Sequence, residues 1–139
     1  MENTNKTQVR KFYSVIWEAR DMDELPSILH DDITFRGSLG AQTRGHEAFI
    51  EYVDMIHKAL GDYRCIIEEL LSESEKVFAK MKFTGIHQGE LMGYAPTHQR
   101  ATWNGAALFT FREDKVADLW VLGDLKSLEN QLKQNVARG

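Results

Sequence analysis

Apolar residues recur near the start of the chain at the spacing of one helical face: Val9, Phe12, Tyr13, Ile16 and Trp17, with polar residues between them. This spacing predicts an amphipathic helix. The stretch DMDELPSILH has acids at a helix start, Pro26 where a first turn tolerates it, then Ile28 and Leu29, and predicts a short second helix. From Asp32 to Arg36, Ile33 and Phe35 alternate with Thr34 as in a short strand, and SLGAQTRG follows as a glycine-containing loop. A third helix is marked by Phe49, Tyr52, Val53, Ile56 and Leu60, with Gly61 placed to close it in a left-handed conformation.

Beyond Gly61 the apolar period falls from 3.6 to 2. Tyr63 to Ser72, Lys76 to His87, Arg100 to Arg112 and Val116 to Gly123 read as strands joined by turns such as SESE and REDK. Between the second and third of them, Gly89, Gly93 and Pro96 make QGELMGYAPTHQ an irregular loop, and Leu125, Leu128, Leu132 and Val136 mark a C-terminal helix. Helices and long antiparallel strands bury their apolar faces only against each other. The expected fold is therefore α+β: a single domain, residues 1–139, with a curved antiparallel sheet roofed by N-terminal helices and a short C-terminal helix. A curled sheet under helices leaves a conical hollow that a small ligand could enter.

Composition narrows the partners. The net charge of −4 comes without a basic stretch, which disfavours nucleic acid and acidic membrane surfaces. The polar start MENTNKTQVR has no apolar signal core and no later run approaches a membrane span of ~20 residues, so a cytoplasmic protein is expected. Cys65 is the single cysteine, which rules out an internal disulfide and a cysteine-based zinc cluster. It alternates with Tyr63 and Ile67 and reads as a small buried hydrophobe rather than a nucleophile. The histidines are scattered, and His87 with Glu90 makes no familiar ligand spacing, so no metal is expected.

One acid stands out. Asp124 follows the apolar run Trp120, Val121, Leu122, and in a strand Trp120, Leu122 and Asp124 share a face. Were that face to line the hollow, desolvation would raise the carboxyl pKa toward a value suited to proton transfer. The alternative is that Asp124 caps the helix beginning at Leu125. Asp118, of the same parity, reads as a structural or rim acid. His87, at a strand end before the irregular loop, is either a hydrogen-bonding group at the cavity mouth or a satisfied structural histidine. Trp103, Trp120, Trp17, Phe35, Phe49 and Tyr52 are candidates for the apolar wall of a ligand site, and each could equally be core.

Gly85 and His87, Gly89 and Glu90, Pro96 and Thr97, Trp103, then Trp120 with Asp124 stand in an order and spacing that resembles the SnoaL-like polyketide cyclases, within the nuclear transport factor 2-like superfamily. The opening VRKFYSVIWEARDMDEL resembles the same family, so the likeness runs nearly end to end. It implies a cone-shaped fold, a scaffold that hosts many activities, and in members with known chemistry a ring closure on a polyketide ester by an intramolecular aldol reaction without metal or organic cofactor. The acid that takes and returns the proton in those members matches Asp124, with His87 as an auxiliary polar group. The ligand implied is a small hydrophobic carbonyl compound, and a homodimer is implied as well. The chain departs from the family at Ala95, His98 and Arg36, and the run Gly105, Ala106, Ala107, Leu108 offers Asp124 no polar partner. A non-catalytic binding or homodimerising domain of the same fold is the alternative.

Overall fold

The computed structural model describes residues 3–138. Helix α1 (Thr4–Lys11) is capped by Asn3, whose side chain accepts from the Lys6 N–H, and runs directly into a π-helical stretch, Phe12–Glu18. A 3-10 turn at Met22–Glu24 leads into α2 (Leu25–Ile28), then come β1 (Leu29–Arg36), β2 (Gln42–Arg44), α3 (His46–Ala59), β3 (Leu60–Glu73), β4 (Lys76–His87), β5 (Arg100–Arg112), β6 (Lys115–Gly123) and α4 (Leu125–Arg138). The six strands form one sheet in the order β2-β1-β6-β5-β4-β3.

The expected α+β architecture of helices over a curved sheet is the one observed, with two corrections to the sheet. Strand β1 lies parallel to β6, so the sheet is not wholly antiparallel. The loop expected after Arg36 folds back as β2, a three-residue edge strand paired antiparallel to β1. Two helix ends differ as well. Helix α3 passes straight into extended backbone at Leu60, and the left-handed residue is Asp62 (φ 47°), where the β3–β4 register shifts, rather than Gly61. On α4 the buried stripe is Leu128, Leu132 and Asn135, while Val136 is exposed, because steps of 4 and 3 keep a face that a step of 4 and 4 drifts off.

Register irregularities in β3 and between Thr110 and Phe111 of β5 bend the long strands. The sheet's inner face carries Val77, Ala79, Met81 and Phe83 of β4, Ala107 and Phe109 of β5, and Val116, Leu119 and Val121 of β6, all buried against the helices. Phe12, Phe49 and Phe109 anchor this layer: the Phe12 ring lies 5.6 Å from Phe49 and 5.5 Å, edge-on, from Phe109. Aromatic pairs in such geometry add to the area they bury.

Where β6 has ended, α4 takes over the flank of β5. The Gln131 side chain accepts from the Thr102 N–H (2.9 Å) and donates to the Thr102 carbonyl (2.6 Å), so strand edges that would otherwise be orphaned are satisfied. At the centre of β5, Gly105 is required by close packing: a methyl group there would run into the Phe83 ring and stand 2.9 Å from the Leu122 carbonyl oxygen. Gly105→Ala is expected to destabilise the fold by about 1–3 kcal/mol through overpacking, measured as a lowered denaturant midpoint with unchanged slope.

Candidate functional site

Between the π-helical stretch, the middle of α3 and the inner face of the sheet lies a small hollow. Its walls are Phe12, Tyr13, Trp17, Phe35, Ser38, Tyr52, Tyr63, Cys65, Phe83, Leu119 and Val121, and the space at its centre is about 20 Å³. That is room for about one water, against roughly 300–1,000 Å³ for pockets that hold drug-sized ligands. The hollow is therefore too small to hold such a ligand in this structure.

Its hydroxyl and thiol groups come from five of these residues. Tyr63 and Cys65 occupy alternate positions of β3 and share its inner face, so hydroxyl and thiol lie near each other. Burial pushes both their pKa values up, Cys65 well beyond any thiolate range. Tyr13 lies close enough to feel Cys65 electrostatically, and its pKa is raised mainly by burial; its hydroxyl is fully enclosed without a hydrogen-bond partner. Burial also raises Tyr52, with the neighbouring polar groups of Ser38 and Leu39 opposing the shift. Apart from the Trp17 indole N–H, every polar side-chain group lining the hollow is thus a neutral hydroxyl or thiol, and among the described residues no carboxylate, imidazole, ammonium or guanidinium lines it.

The structure sorts the sequence candidates by the parity of β6. Leu119 and Val121 face inward, whereas Trp120 (41% exposed) and Leu122 (48%) face out. Asp124 goes with the outward set. Its side chain is exposed and accepts from the Ser127 N–H at 3.1 Å as the N-cap of α4, while its own N–H bonds the Asn104 carbonyl. The expectation that its carboxyl group enters the hollow is corrected: it borders an open groove on the outer face, with Glu68, Lys80, Lys82 and Leu122. Trp120 is corrected in the same way, its ring lying under the Arg36 guanidinium at 5.9 Å on the outside of the sheet. Asp118 hydrogen-bonds the Thr34 hydroxyl, the structural role expected of it.

Of the remaining candidates, Trp17, Phe35 and Tyr52 line the hollow, and Phe49 is buried behind them, its ring 5.0 Å from Phe35 and 6.1 Å from Trp17. Trp103 faces inward at the rim. A side chain built on Gly123 would stand 3.2 Å from its indole nitrogen and 3.0 Å from Ser38 Cβ, and that nitrogen is buried without a partner. His87 is buried completely and does not line the hollow. Its Nδ1 accepts from the Thr97 N–H (3.3 Å) and lies 3.1 Å from the Thr97 hydroxyl, while its Nε2 is buried without a hydrogen-bond partner. With its backbone bonds to Gln99 and His98, His87 ties down the β4–β5 connection instead of standing at the cavity mouth.

Tyr13, Ser38, Tyr63, Cys65, Phe83, Leu119 and Val121 were not singled out from sequence as site residues. A signal existed for the last two: the β6 parity containing both Asp118 and Asp124 is the wet one, so the aliphatic parity between them must be dry. Among the described residues no group of three His, Cys, Asp or Glu side chains is placed to hold a metal ion, and no helix is long and apolar enough to cross a membrane. Because Asp124 works as a cap, Asp124→Ala is expected to cost about 0.5–2 kcal/mol of stability. Chemical denaturation checks this, and Asp124→Asn, which retains a capping oxygen, should lose much less.

The family comparison agrees with this architecture. A family model described as SnoaL-like polyketide cyclase matches residues 7–132. Among solved structures, a proposed SnoaL-like polyketide cyclase from Jannaschia sp. CCS1 superposes with a TM-score of 0.84 at 18% identity, over 93% of this chain and 91% of that one. TsrD from Streptomyces laurentii gives 0.83 at 21% identity, over 95% and 97%. A SnoaL-like polyketide cyclase from Agrobacterium tumefaciens strain C58 gives 0.78 at 19% identity, over 95% and 99%. At such identities the superpositions speak for the fold alone, and a comparison with curated proteins finds no match. With the family match covering nearly the whole chain, the protein belongs to the SnoaL-like polyketide cyclase family.

Proposed function

We propose that the interior hollow binds a small, uncharged, largely apolar carbonyl compound, and that the phenol groups around it hold and polarise the carbonyl by hydrogen bonding. The observation that carries this reading is the chemistry of the walls: aromatic rings around neutral donors, with Tyr13, Tyr63 and Cys65 kept protonated by burial. Such walls favour a neutral guest, because an ion inside them would lose its hydration with no countercharge in return. Aldol closure needs a base to take a proton from carbon, and the walls supply none; Asp124 on the outer face does not supply one to this space. Binding, with a carbonyl made more electrophilic, is the role these residues support. Indole fluorescence titrated with acetophenone tests it. Saturable quenching is expected in the native protein and in Asp124→Asn alike, and its loss in Leu119→Trp, which fills the hollow. Loss of binding in Asp124→Asn with retention in Leu119→Trp would contradict the reading.

A homodimer through the outer face of the sheet is proposed alongside it. Cross-strand register places Leu71, Phe78, Leu108, Trp120 and Arg36 in one row across five strands, with Leu71 58%, Phe78 39% and Trp120 41% exposed. Strands about 4.8 Å apart and about nine residues long give this face roughly 600 Å² in plan, on the scale of the ~800 Å² per partner of a standard interface. The native protein is expected to sediment as a dimer and the Phe78→Lys, Trp120→Lys double variant as a folded monomer; a native monomer would contradict the proposal.

A further inference from the structure

A hollow with room for about one water takes in a ligand only if a wall moves. Phe12, Tyr13 and Trp17, three of its lining residues, lie on the π-helical stretch Phe12–Glu18. π-Helical turns are rare, are less regular than the α-helix, and concentrate where function needs them. Here the widened turn closes with the Ala19 N–H bonded to the Ser14 carbonyl at 3.0 Å, and the chain leaves it through Arg20 at φ 57°. Re-registering one hydrogen bond from i−5 to i−4 would turn each later side chain by about one residue's rotation, roughly 100°. Such a turn would swing Trp17 away from its neighbours.

Ring packing of Phe12 on Phe49 and Phe109, and of Trp17 on Tyr52 and Tyr63, holds the stretch in place, while few hydrogen bonds from other elements do. The Trp17 carbonyl accepts from His57 Nε2 at 2.7 Å, and the Glu18 carboxylate accepts from the Cys65 N–H at 3.3 Å. The closed position also leaves the Tyr13 hydroxyl buried and unbonded, an arrangement that disfavours the empty state and that a ligand oxygen would relieve.

We infer that the π-helical turn Phe12–Glu18 is the movable wall of the hollow, and that the ligand it admits is uncharged, about one aromatic ring in size, and carries an oxygen acceptor bonded by the Tyr13 hydroxyl. This rests on the binding reading above and goes further in naming the anchor, the size class and the way in. A molecule of several fused rings would need far more than one turn of wall to move.

The single cysteine reports on the opening. Cys65 lines the hollow and is buried, so its modification by methyl methanethiosulfonate, a small uncharged thiol reagent, follows the opening of the wall. Three probes separate the requirements: acetophenone, ethylbenzene of similar shape without the oxygen, and charged benzoate. Acetophenone is expected to protect Cys65 with about tenfold higher affinity than ethylbenzene, benzoate to give no protection, and the preference for the ketone to vanish in Tyr13→Phe. Hydrogen exchange locates the wall, with saturating acetophenone expected to slow the amides of residues 13–19 and to leave those of residues 37–45 unchanged. Protection of Cys65 accompanied by slowing in 37–45 instead would overturn the moving turn while leaving binding intact. A ketone preference that survives Tyr13→Phe would overturn the anchor, and protection by none of the three probes would overturn the binding reading itself.

Discussion

The register of β6 between β1 and β5 decides where chemistry is possible in this fold. Leu119 pairs with Phe35 on one side and Phe109 on the other, and all three point under the helices. Trp120, paired with Arg36 and Leu108, is thereby committed to the outside. A slip of one residue would exchange the faces, burying Asp118 while exposing Leu119 and Val121, so the aliphatic pair holds the register firmly. Everything downstream inherits this choice: Asp124 emerges on the wet side and becomes the cap of α4, and α4 is then aimed along the free edge of β5, where Gln131 completes the hydrogen bonds of Thr102.

The same register explains why the interior is chemically neutral. With β6 contributing only aliphatic side chains, the hydroxyl and thiol groups of the hollow come from Tyr63 and Cys65 of β3, Tyr13 of the π-helical stretch, Ser38 of the turn after β1 and Tyr52 of α3. These groups donate hydrogen bonds and stay protonated, so they can hold and polarise a carbonyl without titrating near neutral pH. Histidines remain outside this set. His57 stacks on Trp17 from the far side, with its pKa lowered mainly by burial, and His87 ties down the β4–β5 connection.

Much of the architecture was legible in the sequence because it is written in periodicity. The change from a 3.6 to a 2.0 repeat after Gly61 marks the passage from helices to sheet, and β4 and β5 begin and end where alternation and turn residues place them. Three local features escaped it. Strand β2 has only three residues, too few for a pattern, and a parallel β1–β6 pairing leaves no mark on either strand alone. The π-helical stretch keeps Phe12, Tyr13, Ile16 and Trp17 buried just as an α-helix would, so the apolar spacing cannot distinguish the two. The site was harder still. Parity groups Trp120, Leu122 and Asp124 correctly but does not say which face is inside, and the family likeness drew attention to the acid on the outer one. A cue lay in the two aspartates of that parity, which no dry face would carry unpaired.

Val121 and Leu122 are chain neighbours that look into opposite spaces, and their methyl groups offer the most direct test of where a ligand goes. Intermolecular nuclear Overhauser effects from bound acetophenone should reach the methyl groups of Leu119 and Val121 and miss those of Leu122. Contacts to Leu122 and to the Asp124 side chain, with none to Val121, would place the ligand on the outer face and contradict the account.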